Sequence, residues 1–162
     1  MRWSDVDLDA GRLSVRQALL TIDYTVTLSE PKTRRGRRSL HLDGRTVAAL
    51  RAHRQAQLHE RLAWGPSWAD TGLVFTRPDG AMIHPQRLSK WFAQRARGLP
   101  PIRLHDLRHS WATAAPAAGV HPKIVSERLG HATVSITLDT YSHVLPGMDA
   151  DAAELVAASI LT

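Results

Sequence analysis

Cysteine is absent from the 162 residues, which excludes a disulfide framework and thiolate metal sites and accords with a cytoplasmic setting. No apolar run approaches the roughly 18 residues that a membrane span requires. The chain opens on Met1-Arg2-Trp3-Ser4-Asp5, a polar start unlike a signal peptide, so a soluble protein without a membrane partner is expected. Internal repeats and low-complexity segments are also missing, which excludes a repeat architecture. Tyrosine is scarce: Tyr24 falls in a strand-like pattern and Tyr141 in a helical one.

Hydrophobic residues make up 43% of the chain, enough for one compact domain over residues 1–162 and too little for a second large one. Lys and Arg number 21 against 15 Asp and Glu, a net charge of +6. The excess is uneven, because Lys32, Arg34, Arg35, Arg37 and Arg38 lie together, and such clustering suits a polyanionic partner. A solvated charged loop would carry the same composition, so other motifs must decide between the two.

Alternating Val, Ile, Tyr and Thr predict strands over 11–17, 20–28 and 38–42, an antiparallel hairpin sheet near the N-terminus. Between the second and third strands, Pro31 and Gly36 frame the basic cluster on a projecting turn that can enter a nucleic-acid groove. Asp43 is a candidate N-cap for a helix over 44–60, with Val47, Leu50, Ala56 and Leu58 as its apolar stripe. A short strand is expected over 73–76, then a turn at Pro78-Asp79-Gly80. His84 opens a helix to about Arg97, with Leu88, Trp91 and Phe92 on one face and Arg87, Lys90, Arg95 and Arg97 elsewhere. Further helices are predicted over 104–118, 122–129, 134–144 and 149–161. The fold class expected is therefore α+β, mostly helical, with a small antiparallel sheet.

The chemistry concentrates between His105 and Tyr141. Cutting a phosphodiester without a metal needs donors for the nonbridging oxygens, a nucleophile, and an acid for the leaving hydroxyl. Arg108 offers a planar fork for two phosphate oxygens, and His105, on the same helical face, can add a hydrogen bond or act as base. His131 follows Gly130 at a helix break, Tyr141 carries a phenol, and Lys32 can protonate the departing oxygen. Arg34 and Arg35 sit close to Lys32 on the same turn and compete for that role. His109 and His143 are read as packing or hydrogen-bonding residues. His105 and His109 share the spacing of a zinc helix, but Asp106-Leu107-Arg108 lacks the glutamate of HExxH and places a cation between them, so no metal or other cofactor is expected.

The HxxR at His105 and Arg108, the LGH at Leu129 to His131, and the Tyr141 that follows resemble the catalytic signature of the tyrosine recombinase (phage integrase) family. RWSDVDLD near the start and EPKTRRGRR resemble family segments too, and the likeness covers essentially the whole chain. It implies a recombinase-type catalytic domain in which Tyr141 attacks a scissile phosphate and forms a 3′-phosphotyrosyl link. Arg108 and His131 would bind the phosphate, His105 assist as base or hydrogen-bonding group, and Lys32 act as general acid. Energy is kept in the covalent link, so neither ATP nor metal is implied. Double-stranded DNA would be held by Arg34, Arg35, Arg37, Arg38, Arg87 and Lys90. The resemblance also implies tetramers on DNA, with the C-terminal helix over 149–161 docking on a neighbouring protomer.

Two departures from the family pattern bear on activity. A further catalytic arginine and an N-terminal helical domain that clamps DNA belong ahead of the Trp3 segment, and these residues contain neither. Loss of one phosphate donor costs on the order of 10²- to 10³-fold in rate, so a poor or inactive recombinase is expected, a truncated reading or decaying remnant. Pro116 stands where the family carries a leucine run; it predicts a kink beyond Arg108, and the surrounding alanines predict weak packing. A non-catalytic DNA-binding remnant is the alternative function. A helix-turn-helix regulator built on residues 122–129 and the following helix is weaker, because the LGH turn already accounts for them.

Overall fold

The computed structural model describes residues 1–22, 25–29, 36–141 and 157–158, with the backbone alone at 20–22, 25 and 139–141. The chain divides into two compact units, Met1–Leu104 and His105–Thr162. Small antiparallel sheets come first and the α-helices follow, the segregated order of the α+β class that the sequence leads one to expect.

In the first unit, β1 (Val6–Asp7), β2 (Arg12–Val15) and β5 (Arg38–His41) form an antiparallel sheet in the order β1-β2-β5. Leu13 lies opposite both Val6 and Leu40, which puts three apolar side chains in one cross-strand row. The strand expected over 20–28 is instead a pair, β3 (Ala18–Ile22) and β4 (Thr25–Ser29), in register from Ala18 opposite Ser29 to Ile22 opposite Thr25. No Gly, Pro or Asn between Ala18 and Ser29 marks a turn. Alternation alone fits one long strand or two short ones equally, and backbone pairing selects two.

Helix α1 (Gly44–Trp64) begins where Asp43 accepts hydrogen bonds from the Arg45 and Thr46 amides and from the Thr46 hydroxyl at 2.6 Å. The Thr46 hydroxyl foremost, with the backbone donors, holds the Asp43 carboxyl below its ordinary value of 3.8. Because the folded value is the lower one, this cap is complete above the ordinary carboxyl range and is lost as pH falls through the lowered value. The helix runs a turn beyond the expected Glu60, through good helix formers, and stops at Gly65, where φ is +53°, followed by Pro66.

The inward face of α1 also differs from expectation. Leu50 and Gln57 are buried, Val47 and His53 are half-buried, and Ala56 and Leu58 are exposed. Gln57 accepts from the Trp3 indole at 2.6 Å and donates to the Leu73 and Val74 carbonyls and to the Thr76 hydroxyl. His53 also meets the Val74 carbonyl, at 2.6 Å. Residues 73–76 form no continuous strand: Leu73 bridges Arg2, Thr76 bridges Met82, and side chains of α1 take up the Leu73 and Val74 carbonyls. Val74 is fully buried among these contacts.

The turn at Pro78 to Gly80 closes through Arg77 N–H to Ala81 O and Gly80 N–H to Arg77 O. Helix α2 (Pro85–Arg95) starts with a His-Pro pair, in which His84 Nδ1 accepts from the Gln86 amide and Pro85 supplies a preset φ at the first helical position. Leu88 and Trp91 on this helix remain substantially exposed and Phe92 is half-buried.

The second unit packs three helices, α3 (Asp106–Ala117), α4 (Pro122–Leu129) and α5 (Val134–Tyr141). Its core is Ala112, Ala115, Val125 and Leu129, with Val120 against them. Ala112 and Ala115 of α3 are buried against Val125 and Leu129 of α4. Pro116 stands inside α3. It lies in the last turn of α3, which ends at Ala117, with the Ala118 amide bonded to Ala114 O and Ala115 O, the Gly119 amide to Pro116 O, and φ +80° at Gly119. The proline has no N–H to return to the Ala112 carbonyl, so α3 lacks one helical bond there. Residues 142–144 and the expected helix over 149–161 lie outside the described residues, apart from two helical positions at 157–158.

Gly80 offers a stringent test of the first unit. Its φ is +79°, and a Cβ there would stand 2.5 Å from Ala69 O and 2.6 Å from Trp68 Cε2. Gly80→Ala is expected to destabilise the protein by about 2–4 kcal/mol, read as a lowered urea midpoint at unchanged m-value. A midpoint equal to that of the parent would contradict the packing of this turn.

Candidate active site

The end of α4 sets the geometry. Gly130 adopts the left-handed conformation, φ 70° and ψ 35°, which a glycine reaches without steric cost. Its amide bonds to Glu127 O at 3.2 Å and the His131 amide to Ser126 O at 3.1 Å. This is the paired bonding of a Schellman ending, and it satisfies carbonyls that the helix terminus would leave orphaned. The Ser126 hydroxyl, buried, donates to Thr133 O at 3.3 Å and ties the far side of the turn. His131 thus leaves α4 in a direction determined by three hydrogen bonds.

Its imidazole is held as well. His131 Nδ1 lies 2.9 Å from the hydroxyl of Thr137, which is 1% exposed on α5. Arg108 on α3 is half-buried and donates from Nη2 to the carbonyl of Leu129, two residues before His131. One guanidinium N–H is spent on holding α3 against the end of α4, and the planar fork has further donors for an anion. His105 directly precedes α3, exposed, its ring edge-on to that of His109 at 5.1 Å and 80°. His109, read from the sequence as a packing residue, makes that ring contact. Tyr141 is the last residue of α5, one helical turn after Thr137, and only its backbone position is described.

Four of the sequence candidates, His105, Arg108, His131 and Tyr141, therefore belong to one three-helix unit, with Arg108 and His131 linked through the same turn. Lys32, Arg34 and Arg35 lie outside the described residues. Arg37 is exposed and Arg38 bonds to Gly36 O at 3.3 Å. With Arg16, Ser14 and Gln17 they line a groove of about 710 Å³ in the first unit. Arg87 lies over the Trp91 ring at 5.5 Å, and Lys90 is exposed beside it on α2. Among the described residues, no group of three His, Asp or Glu side chains is placed to hold a metal ion. Also among them, no helix is long and apolar enough to cross a membrane.

Sequence reasoning missed Thr137 and Ser126. A threonine between Ile136 and Leu138 reads as an ordinary position of an apolar helix face, and a serine mid-helix as a solvated one. Their significance needs the turn that brings α5 back onto α4.

The profile of the phage integrase family matches residues 1–147, so the chain belongs to that family. It is 30% identical over 168 residues to a XerC-like tyrosine recombinase of Caldanaerobacter subterraneus, covering 95% of this chain and 43% of that one. A putative prophage phiRv2 integrase of Mycobacterium tuberculosis is 30% identical over 160 residues, covering 96% of this chain and 40% of the relative. The chain thus spans less than half the length of these relatives. Among solved structures, the Tn1549 transposon integrase in complex with transposon right-end DNA superposes with a TM-score of 0.71 over 98% of this chain and 52% of that one, at 19% identity. XerA recombinase gives 0.65 over 86% and 44%, at 20% identity. Both share the fold.

If the Gly130 ending holds the site together, a side chain there must cost stability. Gly130→Ala is expected to destabilise by about 1–2 kcal/mol through left-handed strain alone. The His131 amide should lose protection from hydrogen exchange, and unchanged protection would refute this account of the turn.

Proposed function

We propose that this chain is the DNA-cleaving and rejoining part of a site-specific recombinase or integrase, acting through Tyr141. The observation that carries the reading is the linkage of Arg108, by way of the Leu129 carbonyl, to the turn bearing His131, on helices that also carry His105 and Tyr141. A guanidinium on α3 tied to the turn that bears an imidazole suits the nonbridging oxygens of a phosphodiester, whose charge grows in the transition state.

In the proposed reaction the Tyr141 phenol oxygen attacks the scissile phosphorus and its proton passes to His105 or to water. The bond from phosphorus to the 5′ oxygen breaks, its electron pair stays on that oxygen, and Lys32 supplies the proton that makes the free 5′-hydroxyl. Arg108 and His131 bind the nonbridging oxygens throughout. A 5′-hydroxyl of a partner strand then reverses the steps on the 3′-phosphotyrosyl link. One phosphodiester-type bond is exchanged for another at each stage, so no external energy source is needed.

Double-stranded DNA as substrate fits the net charge of +6 and the arginines at 37, 38 and 87. Lys32, Arg34, Arg35 and Lys90 would add further phosphate contacts. Assembly with other protomers on DNA through the C-terminal segment belongs to the same proposal.

A nicked suicide duplex tests the reading. A covalent protein–DNA adduct is expected with the parent chain, none with Tyr141→Phe, and about 10²- to 10³-fold less per unit time with Arg108→Ala. DNA binding that weakens steeply with salt, yet yields no adduct even after prolonged incubation, would sink the catalytic reading and leave a DNA-binding remnant in its place.

A further inference from the structure

We propose that Thr137 is the positioning residue for His131, holding Nδ1 so that Nε2 carries a proton toward the phosphate. This rests on the recombinase reading for its consequence, though not for its geometry. Three observations support it. The Thr137 hydroxyl lies 2.9 Å from His131 Nδ1. Thr137 is 1% exposed, so its hydroxyl sits where water does not compete for the ring nitrogen. The backbone of His131 is independently held by Ser126 O and by the left-handed Gly130, which leaves ring orientation as the remaining freedom.

A hydroxyl suits this task better than a carbonyl or a carboxylate. It can donate to Nδ1 of a neutral ring and accept from Nδ1–H of an imidazolium, so Nε2 can bear the proton in both states. A carbonyl only accepts; it would favour the neutral tautomer with Nδ1–H and a bare Nε2, which cannot donate to a phosphate oxygen. A carboxylate would do the same and bring negative charge toward an anionic substrate. With the Thr137 hydroxyl proton directed at Nδ1 of the neutral ring, His131 is a hydrogen-bond donor whether or not it is charged.

Thr137 also stands one turn before Tyr141 on α5, a rise of about 6 Å along the axis. The residue that orients the phosphate-binding imidazole is thus on the helix that carries the nucleophile. A shift of α5 moves both together, and their spacing is preserved.

The test pairs spectroscopy on the parent chain with cleavage by variants. Imidazole nitrogen shifts of His131 in the 162-residue chain should show Nε2 protonated from about pH 5 to 8. Thr137→Val, which keeps the shape and removes the hydroxyl, should lower the single-turnover adduct rate about 10- to 100-fold at unchanged DNA affinity. Thr137→Ser should restore it. In the His131→Ala background, Thr137→Val should cost nothing further, because the hydroxyl then has no ring to orient. A substantial population of the Nδ1–H tautomer in the parent overturns the proposal, whether or not the valine variant folds. So does full activity of Thr137→Val, or an equal loss with and without His131. A protonated Nε2 in a chain that never forms adduct would uphold the Thr137 link while removing the recombinase reading itself.

Discussion

The left-handed turn at Gly130 is the constraint from which the second unit is organised. It ends α4, delivers the His131 amide to Ser126 O, and exposes the Leu129 carbonyl at the place where Arg108 donates to it. One glycine conformation thereby determines where α3, α4 and α5 meet. Among the described residues the apolar core beside it comprises four buried residues, of which two are alanine, and the polar bonds around the turn add direction to the helix positions. Such bonds contribute modestly to net stability but are directional, and direction is what a phosphate site needs.

The first unit follows a similar logic with different residues. Gln57 and His53 occupy the inward face of α1 and take up the Leu73 and Val74 carbonyls, while Gln57 also accepts from the Trp3 indole. A segment without strand partners is thereby stabilised by side chains, and its buried backbone groups are satisfied. The short sheet beside it ends at β5, which begins with Arg38, so the basic run leads directly into regular structure.

Legibility divided along the range of the interaction involved. Asp43, His84 and Gly130 act within a few residues of themselves, and each marked a helix end correctly. The strand over 20–28 failed because alternation does not say whether a chain folds back. The inward face of α1 failed because a buried glutamine or histidine has no hydrophobic signal.

From the sequence alone, the residue types of the site follow: an arginine and a histidine in HxxR, a histidine after a helix-ending glycine, a tyrosine beyond it, and a basic run. Family, fold class and the chemistry open to the chain follow from these, because motif spacing and side-chain chemistry are local properties. Tertiary structure alone decided that Arg108 is tied to the Leu129 carbonyl and that Thr137 meets Nδ1 of His131. Both contacts join helices separated by turns, and the direction in which a turn returns a helix is set by packing and hydrogen bonding around it rather than by the identity of the residues that finally touch.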